Sequence, residues 1–130
     1  MTMNISENIG PMQILVLEDE PLILMELALA LEDEGAKPVT ATNAKAALEA
    51  IASHDISAAI LDVNLGRGST CECVAERLAE RQIPFLLHSG DLVRQGELIE
   101  RIEAEVIPKP ASSNRVAGRA VALAKEKKPA

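Results

Sequence analysis

Three carboxylates, a hydroxyl and a lysine stand at the polar ends of four short apolar runs in this 130-residue chain, as Glu18-Asp19, Asp62, Ser89 and Lys109. Acids gathered at one point bind a divalent cation, and a lysine beside a hydroxyl binds an anion. Together they are the inventory of phosphoryl-transfer chemistry. Two carboxylates about 4 Å apart repel by ~4 kcal/mol at an effective dielectric constant of 20, and a third adds to that. A cation relieves the repulsion, and hard oxygen donors select Mg²⁺, Mn²⁺ or Ca²⁺ over softer metals.

Such a cluster needs a scaffold that brings strand ends to one edge. Apolar runs of strand length alternate with longer amphipathic stretches, which is the βαβ signature. Strands are expected over residues 13–17, 37–41, 58–61, 84–88 and 106–107, the second resting mainly on β-branched Val39 and Thr40. Helices are expected over 21–34, with Pro21 in the first turn and Gly35 as the stop, then 43–53 and up to residue 81. The last of these would start from the capping-box spacing of Ser69 and Glu72. Two more are expected over 92–103, with Gly96 inside, and from Ser112 or Ser113 to about residue 125. Right-handed crossovers place helices on both faces of a parallel sheet. The expected fold is therefore a flavodoxin-like (βα)5 three-layer sandwich with strand order 2-1-3-4-5, which sets Glu18 and Asp19 beside Asp62 at the switch point.

Composition narrows the function classes. The formal net charge is −7 and the basic residues are scattered, so no nucleic-acid partner is expected, and the single aromatic, Phe85, offers no stacking platform. No stretch approaches the ~18 consecutive apolar residues of a membrane span, and residues 1–12 lack the pattern of a signal peptide. A cytoplasmic protein with no membrane partner is the expectation. Cys71 and Cys73 are too close together for a disulfide framework and too few for a metal motif.

Four segments then carry a resemblance: Ile14-Leu15-Val16-Leu17-Glu18-Asp19-Glu20-Pro21, Ile60-Leu61-Asp62-Val63-Asn64-Leu65, Leu87-His88-Ser89-Gly90 and Pro108-Lys109-Pro110. In this order at strand ends, they closely resemble the receiver domain of bacterial two-component response regulators. The resemblance implies phosphorylation of Asp62 by a phosphohistidine on a sensor histidine kinase or histidine phosphotransfer protein. It implies Mg²⁺ held by Glu18, Asp19, Asp62 and the backbone carbonyl of Asn64, with Lys109 and Ser89 on the phosphoryl oxygens. It also implies a cis bond at Lys109-Pro110. The chain departs from the commonest family pattern at four positions. Val106 replaces a switching aromatic, Ser89 a threonine, Glu18 an aspartate, and Gly66 a proline.

The expected layout is an extension over residues 1–12, a receiver domain over 13–126 and a tail over 127–130, with no output domain. Output would then be altered binding to an unknown downstream protein. Two alternatives stand beside this reading. One is a Mg²⁺-dependent phosphatase with Asp62 as nucleophile, although Asn64 occupies the place of its general acid-base. The other is an unphosphorylated docking pseudo-receiver. Locally, Glu18 to Glu20 also suit the cap of a helix, and His88 reads as a hydrogen-bonded strand-end histidine.

Overall fold

The computed structural model describes residues 10–66, 69–90 and 96–127. Five parallel strands form one sheet in the order β2-β1-β3-β4-β5: β1 (Gln13–Leu17), β2 (Lys37–Ala41), β3 (Ile56–Leu61), β4 (Phe85–Ser89) and β5 (Glu105–Pro108). The helices between and after them are α1 (Pro21–Asp33), α2 (Ala44–Ser53), α3 (Glu72–Glu80), α4 (Gly96–Ile102) and α5 (Ser113–Lys127).

Strand side chains alternate between the two faces of a sheet, so a strand covered on both faces must be apolar throughout. β1 and β3 meet that condition. Leu15, Leu17, Ala59 and Leu61 point into one core, closed by α2, α3 and the apolar side of α4. Ile14, Val16, Ala58 and Ile60 point into the other, closed by α1 and α5.

Local chemistry sets the helix ends. Pro21 opens α1 at a position where its missing N–H is no loss. Gly35 ends it with φ +84°, while the N–H groups of Gly35 and Ala36 return to the carbonyls of Glu32 and Leu31. Asn43 caps α2, its Oδ1 accepting from the Ala46 N–H at 2.8 Å. The Oγ of Ser112 accepts from the Arg115 N–H at 3.1 Å, so Ser112 is the cap of α5.

Several boundaries differ from the sequence reading, β4 running Phe85–Ser89 rather than 84–88 and β5 Glu105–Pro108 rather than 106–107. β3 begins at Ile56, two residues early, because the sheet tolerates half-buried Ser57 between Ile56 and Ala58. The Ser69–Glu72 capping box does not form. Ser69 is spent in a turn, its N–H donating to Gly66 O and its carbonyl accepting from Leu65 N–H. Thr70 bridges to Asn64, and α3 starts two residues later, behind Cys71. Of the helix expected over 92–103, residues 92–95 lie outside the described residues and the remainder forms α4.

Candidate functional site

Register alone brings the strand-end residues together. β1 and β3 run in step to Leu17 beside Leu61, and the Asp62 N–H donates to Leu17 O at 2.9 Å, which sets Glu18 next to Asp62. On the other side Ser89 pairs with Pro108, and the Lys109 N–H donates to Ser89 O at 2.9 Å. The result is an open cleft of about 420 Å³ lined by Asp19, Glu20, Asp62, Asn64, Gly66, Ser89, Gly90 and Lys109. Glu18, Asp62 and Ser89 are 1%, 5% and 1% exposed, so the reactive groups sit on the core rather than on mobile side chains.

The acids and the lysine form one electrostatic unit. One carboxylate oxygen each from Glu18, Asp19 and Asp62 lies within 4.8 Å of the others. Lys109 Nζ is 3.5 Å from Asp62 Oδ2 and 3.2 Å from Glu18 Oε1. The other Glu18 oxygen accepts from the Glu20 N–H at 3.2 Å. Glu18 thus reaches Lys109 more closely than Asp62 does, a holding role that no local pattern reveals. Glu20, read in the sequence only as part of an acidic helix start, also faces Lys109, at 3.9 Å.

Burial, and next the charge of Glu18, push the Asp62 carboxyl up to about 7 against the opposing pull of Lys109. For Lys109, burial works against the charged form, but the charges of Asp62 and Glu18 outweigh it and hold the ammonium above its ordinary range. The cluster therefore carries more negative charge than one lysine balances. Three hard oxygen donors within reach of one point, with an Asp destabilised as an anion, fit a divalent cation such as Mg²⁺.

The loop after Asp62 is built around the site. Asn64 Oδ1 accepts from the Gly66 N–H at 2.9 Å, and Gly66 takes φ +82°. A side chain there would stand 3.5 Å from Asp19 Oδ2. Proline, fixed near φ −65°, does not fit this backbone, so glycine is required by the turn this chain makes. Lys109-Pro110 is cis.

One residue outside the cluster, His88, behaves differently from its sequence reading. His88 is buried, and neither ring nitrogen has a hydrogen-bond partner among the described residues, so the expectation of a satisfied histidine fails. Burial, with the charge of Lys109 second, lowers it to about 4 and keeps the ring neutral. Cys71, just before α3, is a fully buried core residue, its thiol pushed up to about 12 chiefly by burial and so unreactive. Cys73 is exposed.

The family model described as the response regulator receiver domain matches residues 14–120. No curated protein sequence matches the chain. Among solved structures it is similar to SdrG from Sphingomonas melonis Fr1, with 38% identity and a TM-score of 0.72 over 88% of this chain and 97% of that one. It is also similar to the receiver domain of NtrX from Brucella abortus, with 26% identity and a TM-score of 0.74 over 86% and 98% of the two chains. A CheY-like receiver domain protein from Methanospirillum hungatei JF-1 shares the fold, with a TM-score of 0.78 at 20% identity over 91% and 97%.

Proposed function

The chain belongs to the response regulator receiver domain family, and we propose that within it Asp62 accepts a phosphoryl group from a phosphohistidine. The donor is a sensor histidine kinase or a histidine phosphotransfer protein. The observation that carries this reading is the joint placement of Asp62, Lys109 and the Glu18-Asp19 pair in one cleft at the carboxyl edge of the sheet.

In the proposed step an Asp62 carboxylate oxygen forms a bond to phosphorus as the P–N bond of the phosphoimidazole breaks. The electron pair of that bond leaves with the imidazole nitrogen. Glu18, Asp19, Asp62 and the Asn64 carbonyl would hold Mg²⁺, which when bound supplies positive charge to the phosphoryl oxygens. Lys109 exchanges its contact with the Asp62 carboxylate for one with the transferred group, and Glu18 keeps its ammonium oriented meanwhile. Ser89, lining the same cleft, donates to a phosphoryl oxygen. The protein contributes position and charge rather than a proton shuttle. Asn64 offers no acid-base group, and its amide oxygen is engaged by Gly66, which favours a stable phosphoprotein over a phosphatase.

Signalling then follows from charge. Two negative charges stand where the carboxylate carried one, and binding to a downstream protein in the cytoplasm changes with them. Among the described residues no helix is long and apolar enough to cross a membrane. Incubation with acetyl phosphate and Mg²⁺ followed by intact mass tests the reading. A single stoichiometric phosphoryl adduct is expected; continuous turnover without an adduct indicates a hydrolase, and neither outcome leaves a docking module.

A further inference from the structure

Among the described residues, Glu20 is the one carboxylate lining the Asp62 cleft that the proposed transfer leaves unused. It stands at the N-cap of α1, yet its side chain makes no capping hydrogen bond. The carboxylate turns to the cleft instead, with Oε1 3.9 Å from Lys109 Nζ and the side chain 64% exposed. It is not part of the set formed by Glu18, Asp19 and Asp62, whose oxygens lie within 4.8 Å of one another. Charge gives this position a consequence. Lys109 and a bound divalent cation carry three positive charges between them, equal to the negative charge of Glu18, Asp19 and ionised Asp62. Glu20 then leaves the mouth of the cleft net negative among the described residues, where every incoming phosphoryl group is an anion.

We propose that Glu20 is a specificity-determining residue for the phosphodonor, its charge disfavouring dianionic acyl phosphates against P–N donors of lower net charge. The proposal rests on the phosphoacceptor reading of Asp62. A free acyl phosphate is a dianion at neutral pH, and a like charge at the mouth lowers its local concentration and its rate of entry. A phosphoimidazole has a ring that gains a proton near neutral pH, so its net charge is smaller and Glu20 opposes it less. In both transfers an Asp62 carboxylate oxygen bonds to phosphorus. The acyl phosphate loses its P–O bond, with the electron pair leaving on the carboxylate, whereas the P–N donor loses its P–N bond, with the pair leaving on nitrogen. Selectivity by repulsion needs no added contact to the favoured donor.

The test compares acetyl phosphate, a dianion that releases acetate, with phosphoramidate, a P–N donor that is a monoanion at neutral pH and releases ammonia. Labelling of the wild-type chain and of Glu20→Gln is followed by intact mass with Mg²⁺ present. Glutamine keeps the length of the side chain and the backbone N–H bond to Glu18, and removes the charge. The second-order rate constant with acetyl phosphate at low salt should rise about fivefold in Glu20→Gln, the effect of one unit charge about 4 Å away in water, and that with phosphoramidate by about twofold or less. The difference between the donors should shrink as salt screens the charge. Mg²⁺ affinity, read from the rise in Tm with Mg²⁺ concentration, should stay within about twofold of wild type. An equal gain with both donors, no gain, or slower labelling by acetyl phosphate overturns the proposal. A Mg²⁺ affinity about tenfold weaker in Glu20→Gln assigns the carboxylate to the cation and overturns it too. Labelling of the wild-type chain by neither donor overturns the reading of Asp62, and the role of Glu20 with it.

Discussion

The two sides of the sheet are built to different standards. β1 and β3 bury nearly every residue, and the site acids extend directly from their ends. At the far edge, β5 buries only Ile107 and α4 buries none of its seven residues, resting on half-buried Leu98, Ile99 and Ile102. An exposed two-pronged contact from Arg101 to Glu72, at 3.1 and 3.2 Å, ties α4 to the start of α3. Exposed ion pairs of this kind contribute roughly 0–1 kcal/mol, so α4 is lightly held. The contrast suits the proposed division of labour. Phosphoryl transfer needs donors fixed to within a fraction of an ångström, whereas a response needs an element that changes state for a few kcal/mol.

The largest expected effect falls on the rigid side. Asp62→Asn abolishes labelling by acetyl phosphate, and it also stabilises the fold. Asp62 titrates near 3.8 when unfolded and near 7 in the fold, so it is ionised earlier in the unfolded chain. Its contribution against folding therefore grows as pH rises from about 4 to 7 and is complete above 7. Urea unfolding at pH 8 should show Asp62→Asn more stable than wild type by roughly 1–3 kcal/mol, with the gain vanishing towards pH 4. A variant that is less stable at pH 8 would break the claim that burial strains this carboxylate.

Packing substitutions sharpen the comparison next. Leu15→Ala, in the centre of β1, should cost about 3 kcal/mol in urea unfolding through a cavity the sheet cannot close. Ile99→Ala on α4 should cost about 1 kcal/mol or less, since its side chain is already half in solvent. Equal costs would remove the asymmetry.

A smaller effect is expected from metal. At a Mg²⁺ concentration ten times its Kd, the fold gains about 1.4 kcal/mol, a rise in Tm of a few degrees. Asp19→Asn should lose most of that rise, and an unchanged wild-type Tm would detach the acidic cluster from cation binding. The smallest effect is dynamic. Beryllofluoride with Mg²⁺ should change amide exchange in α4 and β5 by about 1 kcal/mol, roughly fivefold, and leave α2 unchanged. Ser89→Ala should weaken that response while Asp62 still accepts phosphate. A response confined to the Asp62–Gly66 loop would show that the soft edge is not the reporting element.

What the sequence disclosed follows the same line. β1 and β2 were legible to the residue because continuous or β-branched apolar runs on a buried sheet leave few alternatives. Glu18, Asp19, Asp62, Ser89 and Lys109 were legible as a set because each ends such a run. The start of α3 was not, since Ser69 and Thr70 are claimed by pairing with Gly66, Leu65 and Asn64 across a turn rather than by the helix that follows. Nor was the contact of Lys109 with Glu18, which joins residues far apart in the chain through strand register. His88 misled for a related reason. Its neighbours in sequence give no sign that strand alternation carries it into a buried place with no hydrogen-bond partner among the described residues.

The central claim is that Asp62 is the residue that takes the phosphoryl group. Borohydride reduces an aspartyl phosphate to homoserine, so the phosphorylated chain can be reduced, digested and sequenced by tandem mass spectrometry. Homoserine at position 62 alone, absent without phosphodonor, is the predicted result. Phosphate recovered on His54, His88 or another carboxylate, with residue 62 still aspartate, would contradict it.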